Sequence, residues 1–283
     1  MRAFCSNWTR PYAMHRPGRP YEIPDYELLT TVLSALLWRE KNGSICMITD
    51  RVGERYYRSL GLASVWDDGI RCELDAIPHT VDPSTFWAAG KLYALEKVPA
   101  PCVMMDTDFI VWNDLRDRLS ASQLSVIHRE PLEPDIYPAP SAFCLSPSYA
   151  FPADWNWETP ACNTAFTYFG NEALRTSYVS QALDFIQAAR GRDGLIYMVF
   201  AEQRLLAMCA EAMHIPIDAL STPEELFQSE QKDFTHTWGF KQAMQDYPKA
   251  REMFCRQCAA RLAHDFPEYA KVCARIPTLH KYF

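Results

Sequence analysis

Two short runs with no polar member, Cys46-Met-Ile48 and Cys102-Val-Met-Met105, each pass directly into polar residues, Thr49-Asp50 and Asp106-Thr107-Asp108. A strand that is apolar at every position, rather than at alternate ones, is buried on both faces, which is the condition of strands in a parallel sheet. Segments with helical spacing lie between these runs. Leu28, Leu29, Val32, Leu33, Leu36 and Leu37 form one broad face that Asn42-Gly43 ends, Arg51 to Leu60 runs into Gly61, and Ser84 to Lys97 carries Phe86, Leu92 and Leu95. A further strand is expected near Ser64 to Trp66. This alternation specifies an α/β fold with an open, mostly parallel central sheet and helices on both faces.

The four prolines between Pro11 and Pro24 indicate a loop. Beyond Val111 the pattern becomes irregular. Strands are expected near Leu124 to His128 and Thr164 to Phe169, a Pro-rich loop from Pro131 to Pro152, and helices over about Glu172 to Ala189 and Tyr197 to Met213. The reading divides the 283 residues into a domain over 1–242 and a helical C-terminal extension over 243–283 packed on it. With 48% hydrophobic and 22% charged residues the chain supports a large core. A formal charge of -7 and the lack of a Lys/Arg stripe argue against nucleic acid as the main partner. The N-terminus lacks an apolar signal core, and the best apolar helix, Leu28 to Trp38, is too short for a bilayer, so the expectation is a cytoplasmic protein with at most peripheral membrane contact. The ten cysteines then read as reduced core residues, with Cys255, Cys258, His264 and Cys273 as a zinc alternative whose spacing matches no zinc finger well.

Asp106 and Asp108 are the chemically informative pair. On an extended strand, alternate side chains point the same way, so the two carboxylates converge and repel unless a cation lies between them. A hard divalent ion, Mn²⁺ or Mg²⁺, answers that need and can in turn hold a diphosphate. A capped or ion-paired strand end is the other reading.

The segment Val103-Met-Met-Asp106-Thr-Asp108-Phe-Ile-Val111 resembles the Asp-x-Asp strand of nucleotide-sugar glycosyltransferases of the GT-A fold. Other segments fall in the same order as in family 8 of those enzymes, the group that contains glycogenin and bacterial lipopolysaccharide galactosyltransferases. The resemblance covers about residues 1 to 242. It implies a GT-A-like sheet, and a metal site of Asp106 and Asp108 completed by His236. It implies that Lys241 grips phosphate, although the His236-Thr-Trp-Gly239-Phe-Lys241 element has one residue fewer between its Gly and Lys than the family pattern. Lys91 would contact the donor, Asn163 would face the sugar, and Glu202-Gln203, at the start of a helix, would lie beside the reacting carbon. Trp8 and Asp50 would cradle the base and ribose, and Trp155 and Trp157 would form an acceptor platform. Each has a plain structural alternative: an exposed helix lysine, a capping asparagine, a first-turn carboxylate favoured by the helix dipole, packing tryptophans, a strand-end cap. The function implied is a metal-dependent hexosyltransferase taking a nucleoside diphosphate sugar, most simply a UDP-sugar, to a glycan acceptor. The alternatives are a haloacid dehalogenase-like phosphohydrolase with Asp106 as nucleophile, or a non-catalytic sugar-nucleotide-binding module.

Overall fold

The structure, a computed structural model, describes residues 1–228 and 231–283. Its strands are β1 Ala3–Asn7, β2 Ile45–Thr49, β3 Ile70–Arg71, β4 Cys102–Met105, β5 Phe109–Val111, β6 Leu124–Val126, β7 Arg129–Glu130, β8 Ala161–Cys162, β9 Phe166–Phe169, β10 Asp218–Ala219 and β11 Phe234–His236. The helices that matter below are α1 Arg10–His15, α2 Asp25–Lys41, α3 Arg51–Ser59, α4 Ala89–Glu96, α5 Arg116–Ser120, α6 Glu172–Ala188, α7 Gly194–Val199, α8 Leu205–Ala212, α9 Pro223–Phe227, α10 Lys241–Asp246, α11 Pro248–Asp265 and α12 Pro267–Cys273.

Seven strands form the central sheet in the order β10-β6-β9-β4-β1-β2-β3. All neighbouring pairs are parallel except those of β9, which runs antiparallel to β4 and β6. The expected mostly parallel sheet is therefore present, and the all-apolar strands explain it residue by residue. Ala3, Cys5, Ile45, Met47, Val103 and Met105 pack into one core with α2, α11 and α12, while Phe4, Cys46, Ile48, Cys102 and Met104 pack into a second core with α4, α6 and α8. Each strand thus buries both rows of side chains. The chain winds outward from β1 to β3, then restarts with β4 on β1's other side. In open α/β sheets such a reversal opens a crevice outside the carboxyl ends of the two strands concerned, here β1 and β4, and ligands bind there.

Three local expectations are corrected. The strand placed near Ser64 to Trp66 is a 3₁₀ turn at Ala63–Val65, and the edge strand follows at Ile70–Arg71 after Gly69, whose φ is +82°. Trp66 was the misleading residue, because its apolarity serves contact with Tyr57 rather than a sheet. Residues 10–15, read as loop, form α1, with Pro11 in the first turn, where its missing N–H costs nothing. Asp106-Thr107-Asp108 does not continue β4. Strand β4 ends at Met105 and the motif is the turn into β5, closed by the Phe109 N–H donating to Asp106 O at 3.1 Å. Among the described residues no helix is long and apolar enough to cross a membrane.

Helices α11 and α12 share the core of α2, and one buried carboxylate ties them to it. Asp25, 4% exposed at the start of α2, accepts from Arg251 Nε at 2.6 Å and from the Tyr282 hydroxyl at 2.6 Å. Burial alone would raise this carboxyl, but Arg251, Tyr282 and the Tyr26 N–H outweigh it and hold it below the ordinary carboxylate range. A depressed native pKa stabilises the fold above the ordinary carboxylate range and loses that contribution as the pH falls through it. Asp25→Asn is therefore expected to cost about 3 kcal/mol near neutral pH, since it leaves the guanidinium without its anion. Urea denaturation of both proteins from pH 7 down to pH 3 should show the gap between them closing on acidification; a gap independent of pH would contradict the assignment.

Candidate functional site

The β4–β5 turn lies at the mouth of the crevice, and its two aspartates head two linked clusters of charge. Asp106 Oδ1 lies 2.7 Å from Lys91 Nζ. Lys91 also pairs with Glu202 Oε1, which accepts from Thr164 Oγ1 at 2.8 Å, and the Lys91 ammonium lies 3.4 Å from Thr164 O. Lys91, expected on an exposed helix face in its plain reading, is 8% exposed. It reaches the strand end because Gly90 lets α4 lie directly on Trp8: a Cβ at Gly90 would come within 2.8 Å of Trp8 Cβ. Glu202 is not at a helix start. It occupies a π-helical turn, Phe200–Arg204, between α7 and α8 in one continuous helical stretch whose N-cap is Asp193. The dipole explanation of Glu202 is thereby removed; the wider turn carries the carboxylate inward, and the Tyr178 hydroxyl donates to its backbone carbonyl at 2.7 Å.

The second cluster forms on Asp108. Its Oδ2 is 2.9 Å from Lys241 Nζ and its Oδ1 is 3.9 Å from His236 Nε2. Strand β11 positions the histidine by pairing antiparallel with β5, His236 opposite Phe109, and the Thr237 N–H donates to Asp108 O at 3.2 Å. Residues 108 and 236 are thus fixed to each other by backbone register.

The electrostatics separate the two aspartates. Burial is the main force raising Asp106 to about 6, aided by Asp108 and Glu202 and opposed by Lys91. Burial also acts to raise Asp108, but Lys241 and His236 hold it below the ordinary value. Burial first, then Lys91 and Lys241, push His236 down to about 4 against the pull of Asp108, so its imidazole is neutral near pH 7.

Ligand atoms of Asp106, Asp108 and His236 all lie within 4.8 Å of one another, the one such His/Cys/Asp/Glu grouping among the described residues. Two carboxylates and a neutral imidazole are a donor set suited to Mg²⁺ or Mn²⁺. Ligands about 2.1 Å from one small cation stand roughly 3 to 4 Å apart, so the cluster would hold such an ion after closing by roughly 1 to 2 Å.

The other candidates fall at different distances from this centre. Asn163 precedes Thr164 and donates from Nδ2 to Glu130 Oε1 at 3.0 Å; Glu130 in turn lies 3.7 Å from His128 Nε2. Gln203 Oε1 accepts from the Tyr137 hydroxyl at 2.6 Å. Asp50 caps α3, accepting from the N–H groups of Val52 and Gly53, and its Oδ2 accepts from Thr9 N at 2.8 Å, so its carboxylate is occupied by the backbone. Trp8, 7% exposed, is the surface on which α4 packs. Trp155 is buried and Trp157 stacks on Phe200, which anchors the Pro-rich loop rather than opening a platform. Cys255, Cys258 and Cys273 are buried thiols, and His264 is exposed and bonded to Asp265, so these four do not form a zinc site. Thr164, Glu130, His128 and Tyr137 adjoin the candidate residues in the structure and were not singled out in the sequence; Thr164 follows the named Asn163, but nothing local marks Glu130, His128 or Tyr137.

A family model described as a family of unknown function (DUF6734) matches residues 1–276. No curated protein sequence matches the chain. Among solved structures, mouse xyloside xylosyltransferase 1 is similar over 78% of this chain and 84% of its own, at 12% identity and a TM-score of 0.41. The glycosyltransferase GlyE of Streptococcus pneumoniae TIGR4 is similar over 81% of this chain and 46% of its own, at 11% identity and a TM-score of 0.36. The galactosyltransferase LgtC, solved with donor and acceptor sugar analogues, is similar over 72% and 71%, at 10% identity and a TM-score of 0.37.

Binding of Mg²⁺ or Mn²⁺ to this cluster would stabilise the folded chain, by about 2.7 kcal/mol at a hundred times the dissociation constant. Melting curves should therefore rise with added ion in the wild type and in Asp50→Asn, whose change is confined to the α3 cap and its bonds to Thr9, and stay unchanged in Asp108→Ala. A shift that persists in Asp108→Ala would place the ion elsewhere.

Proposed function

This chain belongs to the DUF6734 family, whose function is unknown, and we propose that it is a metal-dependent glycosyltransferase that moves a hexose from a nucleoside diphosphate sugar to a glycan acceptor, with UDP as the nucleotide and Mn²⁺ as the ion. The observation that carries the reading is the convergence of Asp106, Asp108 and His236 between two lysines, Lys91 and Lys241, at the strand-end crevice. Six residues scattered from Lys91 to Lys241, all named by the resemblance, lie in two ion-paired clusters, Lys91 with Asp106 and Glu202 and Asp108 with His236 and Lys241, which adjoin at the grouping of Asp106, Asp108 and His236.

Asp106, Asp108 and His236 would hold the ion, which when bound supplies positive charge to the diphosphate leaving group. The imidazole among the ligands favours Mn²⁺ over Mg²⁺. Lys241, 35% exposed at its side chain beside Asp108, has the reach and charge to take the phosphate oxygens. Lys91 is buried and holds Asp106 and Glu202 in fixed relation, so the carboxylate beside the sugar and the carboxylate on the ion move as one unit. Asn163 and Gln203 offer amide groups toward sugar hydroxyls. Trp8 and Asp50 are accounted for by packing and capping, and the donor side of the reading rests on the two lysines.

The test is release of nucleoside diphosphate from a panel of sugar nucleotides with and without Mn²⁺. Turnover is expected with at least one donor, to vanish on chelation, and to fall by about 10²–10³ in Asp108→Ala and by about 10² in Lys241→Ala. Inorganic phosphate from a phosphomonoester would instead support a phosphohydrolase, and nucleotide binding without turnover would support a binding module.

A further inference from the structure

The Pro-rich segment from 131 to 160 has little regular structure, yet it is tied down by a buried charge with no acid to match it. Arg204, 3% exposed on the same π-turn as Glu202 and Gln203, makes no ion pair among the described residues. Its guanidinium donates to Tyr137 O at 2.8 Å, to Pro138 O at 3.1 Å and to Trp157 O, and lies 5.1 Å from the Trp157 ring centroid. Nε has no partner. Burying an arginine against carbonyls alone is costly, and the arrangement yields position: both ends of the segment are pinned to the turn that carries the site. Tyr137 is the residue so placed. Its ring, 7% exposed, packs with Ala161 and Val199, and its hydroxyl donates to Gln203 Oε1 at 2.6 Å.

We propose that Tyr137 is a positioning residue: held by Arg204 through its carbonyl, it fixes the Gln203 carboxamide through its hydroxyl, so that the amide oxygen is satisfied and the NH₂ group is left to donate to an oxygen of the transferred sugar. An amide carries its two donors on the nitrogen alone, so occupying the oxygen selects one of two flipped orientations. Burial first, then the negative charge of Glu130, raises the Tyr137 hydroxyl above its ordinary value, which keeps it a donor. Without that hydrogen bond the carboxamide is free to present its oxygen, which cannot donate to a sugar oxygen. The inference rests on the glycosyltransferase reading and adds a residue to it that no segment resemblance names.

A double-mutant cycle on the full chain tests it. With whichever donor the wild type turns over in Mn²⁺, kcat and KM are measured for Tyr137→Phe, Gln203→Ala and the double variant. Tyr137→Phe is expected to lower kcat about tenfold with donor KM changed by less than about twofold, and the double variant to match Gln203→Ala, because Tyr137 acts through Gln203. Melting temperatures measured alongside separate this from lost folding, since Phe keeps the packing on Ala161 and Val199. Wild-type kcat in Tyr137→Phe, or losses that multiply in the double variant, would overturn the inference while leaving the transferase reading intact. A wild type that turns over no sugar nucleotide contradicts that reading, and the inference with it.

Discussion

The buried Lys91 ammonium is the interaction on which the site depends. Asp106 and Glu202, on elements far apart in sequence, both lie against it, and neither carboxylate has another cation within an ion-pair distance among the described residues. Placing carboxylates out of water is expensive unless each is paired and hydrogen-bonded. Here the lysine stem runs from α4, whose close approach depends on Gly90, and Thr164 supplies a further hydroxyl. Across the turn, Lys241 does the corresponding task for Asp108. Three carboxylates against two ammonium groups, with His236 neutral, leave one uncompensated negative charge. That residual charge, at the end of a strand in a switch-point crevice, is the physical reason to expect a divalent cation and an anionic ligand in an otherwise acidic protein.

The fold serves this arrangement through its two-sided core. Strands β1, β2 and β4 give one row of side chains to each face, so helices on both sides hold the sheet without a solvent-exposed face. The carboxyl ends of β1 and β4 are then held in a rigid frame, and the site elements come to them from four directions: the β4–β5 turn, α4, the β11 pairing on β5, and the π-turn between α7 and α8. A helical ladder interrupted by one wide turn is less stable than a regular one, and its presence where Glu202 and Arg204 are both buried marks a place where side-chain direction outweighs helix regularity.

Much of this was legible in the sequence. Strands that are apolar throughout cannot be read as half-exposed, which fixed the sheet type, and the Asp-x-Asp pair after β4 marked the site. The reason for the pair's convergence was not legible: it is a turn closed by Phe109 N–H, where period-2 alternation along a strand was expected. His236 and Lys241 were named through the resemblance, and the β5–β11 pairing is what sets His236 opposite Phe109. Lys91 could not be known as buried from helix periodicity, since its partners come from two other elements. Asp50 and Trp8 have the residue types of a nucleotide pocket and are consumed by capping and packing, a distinction that depends on hydrogen-bond partners and not on spacing. Tyr137 lay in a Pro-rich stretch whose only local signal is irregularity.

The most direct test of the account is where a divalent ion settles. A crystal grown with Mn²⁺ and UDP, with anomalous scattering recorded at the manganese edge, should show one strong peak bonded to Asp106, Asp108 and His236, with Lys241 moved from Asp108 to the diphosphate. A peak elsewhere, or an Asp108–Lys241 pair left intact beside a bound nucleotide, would contradict it.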